Sequence, residues 1–330
     1  MAPPVTSVTG GDVTDYSDTG EEDTTQQTYW VNWRFFLCAL WILIAVVVSL
    51  VSICKNEGFC KSRNMSKEVC QQETAGTVYM EDTWKSSCKC VHPGFLLCYR
   101  LIAFCVLLTL ITSDIIANSP SVFYFYTEWT FTLVTIYFGL ASLMSVYGCC
   151  HGSEAMGNGV ADIGSSDPER GTYIRQDGRT AGFWGYTFQI LYQTCAGAVT
   201  LTDAVFWLVI YPFLLEKDFK LNLLIICMHT VNAGCFLGDL IFNNLQFPFF
   251  RIAYFLLWTC IFVFFQWIFH TRLSKEWPYP FLDISSDYAP LWYLGVGLLH
   301  LPCFGTMALI AKTKQCCLSR THSSYSSAMG

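Results

Sequence analysis

Along the chain, long apolar runs alternate with short polar stretches, and the runs are continuous rather than alternating. The clearest cover about Phe35 to Ile53, Phe95 to Thr112, Val122 to Tyr147, Tyr186 to Phe213, Leu221 to Phe242, Phe249 to Phe269 and Leu291 to Ala311. A helix rises about 1.5 Å per residue, so about 20 apolar residues cross a hydrocarbon layer about 30 Å thick. Strands of a membrane barrel would instead alternate apolar and polar positions over about ten residues. In lipid, a helix satisfies its own backbone groups. The pattern therefore predicts an all-α, polytopic membrane protein with seven spans.

Composition points the same way. The 330 residues are 53% hydrophobic and 13% charged, against about 25% charged in soluble domains. The net charge of −6 comes largely from an acidic leader containing Asp12, Asp15, Asp18, Glu21, Glu22 and Asp23. Such a leader does not read as a cleavable signal peptide, so the first span is expected to stay in the mature chain. With no basic patch, nucleic acid is excluded as a partner and membrane lipids are the expected ones. The expected organisation is a disordered leader over 1–32, a membrane domain over 33–318 and a disordered Ser-rich tail over 319–330. Within the membrane domain lie a Cys-rich loop over 54–94 and a disordered loop over 151–183. No internal repeat with matching broken helices is visible, which counts against a transporter built from inverted halves.

Loop charges give an orientation. With seven spans, the first, third and fifth loops and the tail hold thirteen Lys and Arg residues, the opposite side holds five, and Arg100 falls within the second span. The positive-inside rule puts the C-terminus in the cytosol and the N-terminus outside the cell or in a lumen, in an endomembrane or the plasma membrane. On that topology the sequon at Asn64 stays unglycosylated.

Seventeen cysteines would mark a disulfide scaffold in a small secreted chain, but many lie inside spans, where Cys behaves as a small hydrophobe. In the first loop, Cys88, Cys90 and His92 form the one weak zinc possibility, with Cys54, Cys60 and Cys70 nearby in sequence, although the spacing fits no standard finger. Otherwise no metal and no cofactor is expected. The pairs Cys149 with Cys150 and Cys316 with Cys317 each follow a span on the basic side, a setting for S-acylation.

Ionisable groups inside a span cost about 2.5 to 3.5 kcal/mol on insertion scales and ask for a partner or a role. Arg100 lies near the basic end of its span and is expected to snorkel. Asp239, Asn243 and Asn244, near the same side, are expected to be wet. Thr127, His229 and Asp203 are different. Counted from the span ends at about 1.5 Å per residue, they share one layer on the side opposite the basic loops. A hydroxyl, an imidazole and a carboxylate are the parts of a nucleophile, base and orienter. Thr130, Thr132 and Thr135 compete for the nucleophile's place, and a purely structural role for each group is the alternative.

Several segments resemble known membrane families. VHPGFLLCYR, FYFYTEWTFTLVTIYFGL, LTDAVFWLVIYP, CMHTVNAGCFLGDL and WPYPFLD resemble the plant members of the Rolling stone-like transmembrane proteins, from about Cys88 to the end of the last span. More remotely, the last six helices resemble the androgen-induced-protein family, six-span hydrolases of fatty acid esters of hydroxy fatty acids. That resemblance implies Thr127, preceding Phe138-Gly139, as nucleophile and His229, within Met228-His229-Thr230, as base. The run Tyr279 to Leu282 also matches. In this alignment Asp203 has an apolar counterpart, so its orienting role comes from the residues alone. The resemblance implies a fatty acid ester as substrate and cytosolic termini for the six-helix core, the first span being an addition. Rolling stone itself implies instead a non-enzymatic membrane protein in cell fusion or signalling, and a proton-coupled small-solute transporter using Asp203 and His229 is a further alternative.

Overall fold

The computed structural model describes residues 30–57, 78–88, 91–157, 181–214, 221–273 and 276–329. Seven helical spans cross the length of a bilayer. The helices are α1 (Trp33–Asn56), α2 (Pro93–Asn118), α3 (Tyr126–Gly157), α4 (Phe183–Val205), α5 (Leu223–Met228), α6 (Val231–Phe242), α7 (Ile252–Arg272) and α8 (Ala289–Met329). An isolated β-bridge pairs Ser86 with Asn243. The protein is an all-α, multi-pass integral membrane protein, with α5 and α6 together making the fifth span.

Helix α4 is the hub. It packs against α3, α7 and α8 and also touches α6, and thirteen of its 23 residues are buried. The run Cys195-Ala196-Gly197-Ala198 is fully buried, because small side chains let neighbouring helices approach closely where lipid gives no hydrophobic drive to pack them. A Cβ on Gly197 would overlap the Phe255 ring of α7. Helix α1 is the opposite case. It buries three of its 24 residues and leans on α7 and α8 from outside.

Two spans depart from α geometry on the side opposite the basic loops. After Val205 the fourth span continues as a π-helical segment, Phe206–Leu214, that contains Pro212. Proline lacks an N–H and its ring crowds the preceding turn, so the wider winding absorbs it. The fifth span breaks between Met228 and Val231, with His229 at φ −109° and ψ 17°. The freed His229 carbonyl accepts a hydrogen bond from Trp207 Nε1 at 2.9 Å. Irregular backbone at membrane depth survives where protein or a cavity covers it.

At the other end the structure corrects two expectations. Arg100 does not snorkel and Asp239 is not wet, for both side chains are fully buried and Arg100 Nε meets Asp239 Oδ1 at 2.7 Å. Arg100 also donates to the Thr83 carbonyl and to Ser145 Oγ, each at 2.8 Å. Asp239 accepts further bonds from Tyr137 Oη and from Asn243 Nδ2. The reason is the 3-10 turn Met80–Thr83 of the first loop, which folds over the bundle instead of leaving the helix ends to water. Ser87 N and Ser86 Oγ bond the Phe242 carbonyl, and Asn244 Nδ2 reaches Asp82. Lys314 Nζ closes the end of α6 through the Leu240 and Asn243 carbonyls at 2.8 and 2.7 Å.

The tail also differs from expectation. Helix α8 continues through Met329, across most of the stretch read as disordered, because no Gly or Pro interrupts residues 306–329. Helix α3 likewise runs through Gly157 into the loop read as 151–183. Residues 158–180 of that loop, residues 1–29 of the leader, Cys60, Cys70, Cys90 and the sequon at Asn64 lie outside the described residues.

Candidate functional site

Opposite the Arg100 end, a cavity of about 70 Å³ opens between the start of α3, the end of α4, the break in the fifth span and α7, with the turn Pro280–Leu282 beside it. That is room for a few water-sized groups. Its walls are mainly apolar, with Leu201, Val205, Phe262 and Val263 among them, and the polar minority comprises Tyr126, Thr127, Thr202, His229, Thr259 and Tyr279. A mostly apolar hollow with a few convergent polar groups is the common form of a small-molecule site.

The structure brings Thr127 and His229 to this one cavity. Thr127 stands in the first turn of α3, which starts at Tyr126, and next to the Tyr279 phenol. That phenol accepts a hydrogen bond from the Tyr126 amide at 3.1 Å. Burial pushes Tyr279 well above its ordinary value, so its phenol stays neutral. His229 sits at the helix break, its ring stacked on Phe206 with centroids 3.6 Å apart and planes 4° from parallel. Helix break, stacked ring and bonded carbonyl together fix the imidazole. No hydrogen bond joins Thr127 to His229 among the described residues.

Asp203 stands outside the cavity wall, with Oδ1 3.7 Å from His229 Nδ1. That is ion-pair distance but too long for a hydrogen bond, so the carboxylate does not lock the ring as an orienter would. Both Asp203 oxygens and His229 Nδ1 are buried without a hydrogen-bond partner. Asn232 lies beside Asp203, and its amide nitrogen is unpartnered too. Of the competing threonines, Thr130 is buried against Thr202, with oxygens 3.2 Å apart, and Thr135 bonds its own helix at the Phe131 carbonyl. Glu128, next to Thr127, is buried with Oε2 unpartnered.

Sequence reasoning passed over a second imidazole. His300 of α8 is 2% exposed, its Nδ1 lies 2.8 Å from the Val296 carbonyl and its Nε2 lies 2.8 Å from Thr259 Oγ1. Thr259 Oγ1 is in turn 3.0 Å from Tyr126 Oη. The signal was present in GLLHLPCF, an ionisable group well inside an apolar run, the same rule that picks out Asp203.

The remaining candidates fall elsewhere. His92 caps α2, its Nδ1 accepting from the Gly94 amide at 3.0 Å. Among the described residues no three His, Cys, Asp or Glu side chains gather to hold a metal. Cys149, Cys150, Cys316 and Cys317 are all exposed, toward the Arg100 end of α3 and α8. Compared with known proteins, the chain matches no family model, no curated protein and no solved structure.

Proposed function

We propose that the cavity hydrolyses a fatty acid ester within the bilayer, with Thr127 as nucleophile and His229 as general base. The observation that carries this reading is the meeting of a hydroxyl and a rigidly held imidazole in one apolar hollow inside the membrane. The resemblance of the last six helices to the androgen-induced-protein hydrolases supports it at the same two positions. His229 takes the Thr127 proton as Oγ1 attacks the ester carbonyl, returns it to the departing alcohol, and then activates water against the acyl-threonine. Side chains alone perform these steps. Apo hydrogen bonds at catalytic pairs are commonly long and close only around substrate. The purified full chain, offered a panel of long-chain fatty acid esters, should release free fatty acid, and Thr127→Ala and His229→Ala should each lower the release by about a hundredfold or more at unchanged expression. An unreactive wild type on a broad panel would remove the proposal.

A second reading is favoured by the paired irregularities of the fourth and fifth spans and by the 3.7 Å approach of Asp203 to His229. Broken helices around a membrane acid are also the parts of a proton-coupled transporter. In that case Asp203→Asn abolishes proton-driven solute uptake in proteoliposomes while Thr127→Ala leaves it intact.

The orientation and the thiol pairs belong to the same proposal. Thirteen Lys and Arg residues against five support a cytosolic C-terminus, and exposure of Cys149, Cys150, Cys316 and Cys317 supports their S-acylation there. Hydroxylamine-sensitive labelling that persists when all four become Ser would overturn the acylation.

A further inference from the structure

We propose that Thr259 is a second acyl-accepting nucleophile of the cavity, with His300 as its general base. The proposal rests on the reading of the cavity as an acyl-ester site, and it adds a hydroxyl and an imidazole to which that reading gives no role.

The direction of the hydrogen bonds is fixed by chemistry. The Val296 carbonyl can only accept, so in the neutral imidazole the proton sits on Nδ1, 2.8 Å from that oxygen. Nε2 is then an acceptor, and the hydroxyl 2.8 Å away, Thr259 Oγ1, donates to it. The other acceptor within reach of that hydroxyl is the Phe255 carbonyl, at the longer distance of 3.4 Å. With its own proton directed at His300, Thr259 Oγ1 accepts from Tyr126 Oη at 3.0 Å. A hydroxyl that donates to an imidazole, whose far nitrogen is held by a third group, is the arrangement that activates a nucleophile. Thr127 and His229 share a cavity, whereas Thr259 and His300 share a hydrogen bond. The Tyr126 proton aimed at Thr259 Oγ1 also stabilises negative charge as it develops on that oxygen. The Phe255 ring, 4.4 Å from His300 between centroids, holds the imidazole from the side. Thr259 and Tyr126 both line the cavity, so an acyl group that reaches Thr127 meets Thr259 as well.

The step balances without a further reagent. Thr259 Oγ1 bonds to the ester carbonyl carbon as its proton passes to His300 Nε2. The carbon to alkoxide bond then breaks and the leaving oxygen takes that proton. Water, deprotonated by His300, cleaves the acyl-threonine and releases the acid. With a fluorophosphonate probe the first step stops at the adduct, because the Oγ1–P bond forms and fluoride leaves.

The test is to treat the purified full chain in lipid nanodiscs with a long-chain fluorophosphonate and locate the adducts by peptide mass spectrometry. Adducts are expected on Thr259 both in wild type and in Thr127→Ala. His300→Gln keeps a hydrogen-bond acceptor but no base, and should slow the Thr259 adduct by about a hundredfold. Thr259→Val should lack that adduct and Thr259→Ser should regain it, which separates loss of the hydroxyl from loss of the fold. Adducts confined to Thr127, or a Thr259 adduct indifferent to His300→Gln, would overturn the second nucleophile while leaving the hydrolase reading in place. A chain that forms no adduct anywhere would overturn both.

Discussion

At one end of the bundle Asp239 receives Arg100, Tyr137 and Asn243, and at the other both Asp203 oxygens are buried without a hydrogen bond of normal geometry, with Asn232 beside them. Both are carboxylates within membrane spans, and both are screened from the outside, with side-chain exposures of 0% and 14%. What separates them is closure. The Arg100 end is sealed by the first loop and by Lys314, and its polar groups bond one another apart from Arg100 Nη2. The cavity end keeps Asp203, His229 Nδ1 and Asn232 Nδ2 without partners, between two spans that have left α geometry. A closed buried network fixes helix positions, whereas open polar groups in a hollow are retained where something else must bind or react.

The strongest test of this contrast is to open the closed end. Arg100→Met leaves a buried carboxylate without its cation, which destabilises by about 3–5 kcal/mol. Thermal unfolding in detergent should show most of the folded protein lost. Adding Asp239→Leu should restore much of the stability, because an apolar pair of similar volume is often as stable as a buried ion pair. A single variant that melts like wild type would show that the network does not hold α2 to α6.

At the open end the same kind of change should spare the fold and remove the chemistry. His229→Gln is expected to shift stability by no more than about 1 kcal/mol, since Nδ1 has no bond to lose. Ester hydrolysis should fall by about a hundredfold or more, and Thr127→Ala combined with it should lose little beyond either alone. Unfolding of His229→Gln would make the imidazole part of the scaffold and erase the contrast.

Seven spans were legible because membrane helices announce themselves by length of apolar run, with no long-range contact needed. The common depth of Thr127 and His229 was legible too, for a rise of about 1.5 Å per residue turns sequence distance into height. Height counted from a span end fails where the loop is not water. That failure hid the Arg100 network, since the turn Met80–Thr83 lies far from Arg100's partner Asp239 in sequence. The break at His229 had no marker, for neither proline nor glycine occurs between Leu221 and Ala233. Pro212, in contrast, marked the distortion that follows Asp203. His300 was visible and passed over, because depth was compared among Thr127, His229 and Asp203 alone.

Packing between the two ends offers an intermediate effect. Gly197→Val on α4 forces the Phe255 ring of α7 aside, an overpacking that should destabilise by about 1–3 kcal/mol. Phe255 also supports His300. The variant should therefore disturb reactivity at Thr259 more than at Thr127, measured as the ratio of probe adducts at the two sites. Equal losses would mean that the α4 to α7 contact serves the whole bundle and not the His300 side.

The smallest effect expected is that of Asp203→Asn, and it is sharpest when the same chemical change is made at Asp239. Asp239→Asn replaces an acceptor of three hydrogen bonds and discards a charge that Arg100 needs, so it should destabilise by several kcal/mol, at about the level of Arg100→Met. Asp203→Asn changes a group that accepts none of normal geometry. An amide is easier to bury unpartnered than a carboxylate, so stability should be unchanged or rise by about 1 kcal/mol. Hydrolysis should fall by no more than about tenfold, since a contact of 3.7 Å to His229 Nδ1 biases the imidazole without locking it. A thousandfold loss with an intact fold would mean that substrate draws Asp203 onto His229 and completes the orienting bond. Loss of the fold would mean that the cavity end is held together by Asp203 as the other end is by Asp239, and the division of the bundle into a closed end and an open one would not stand.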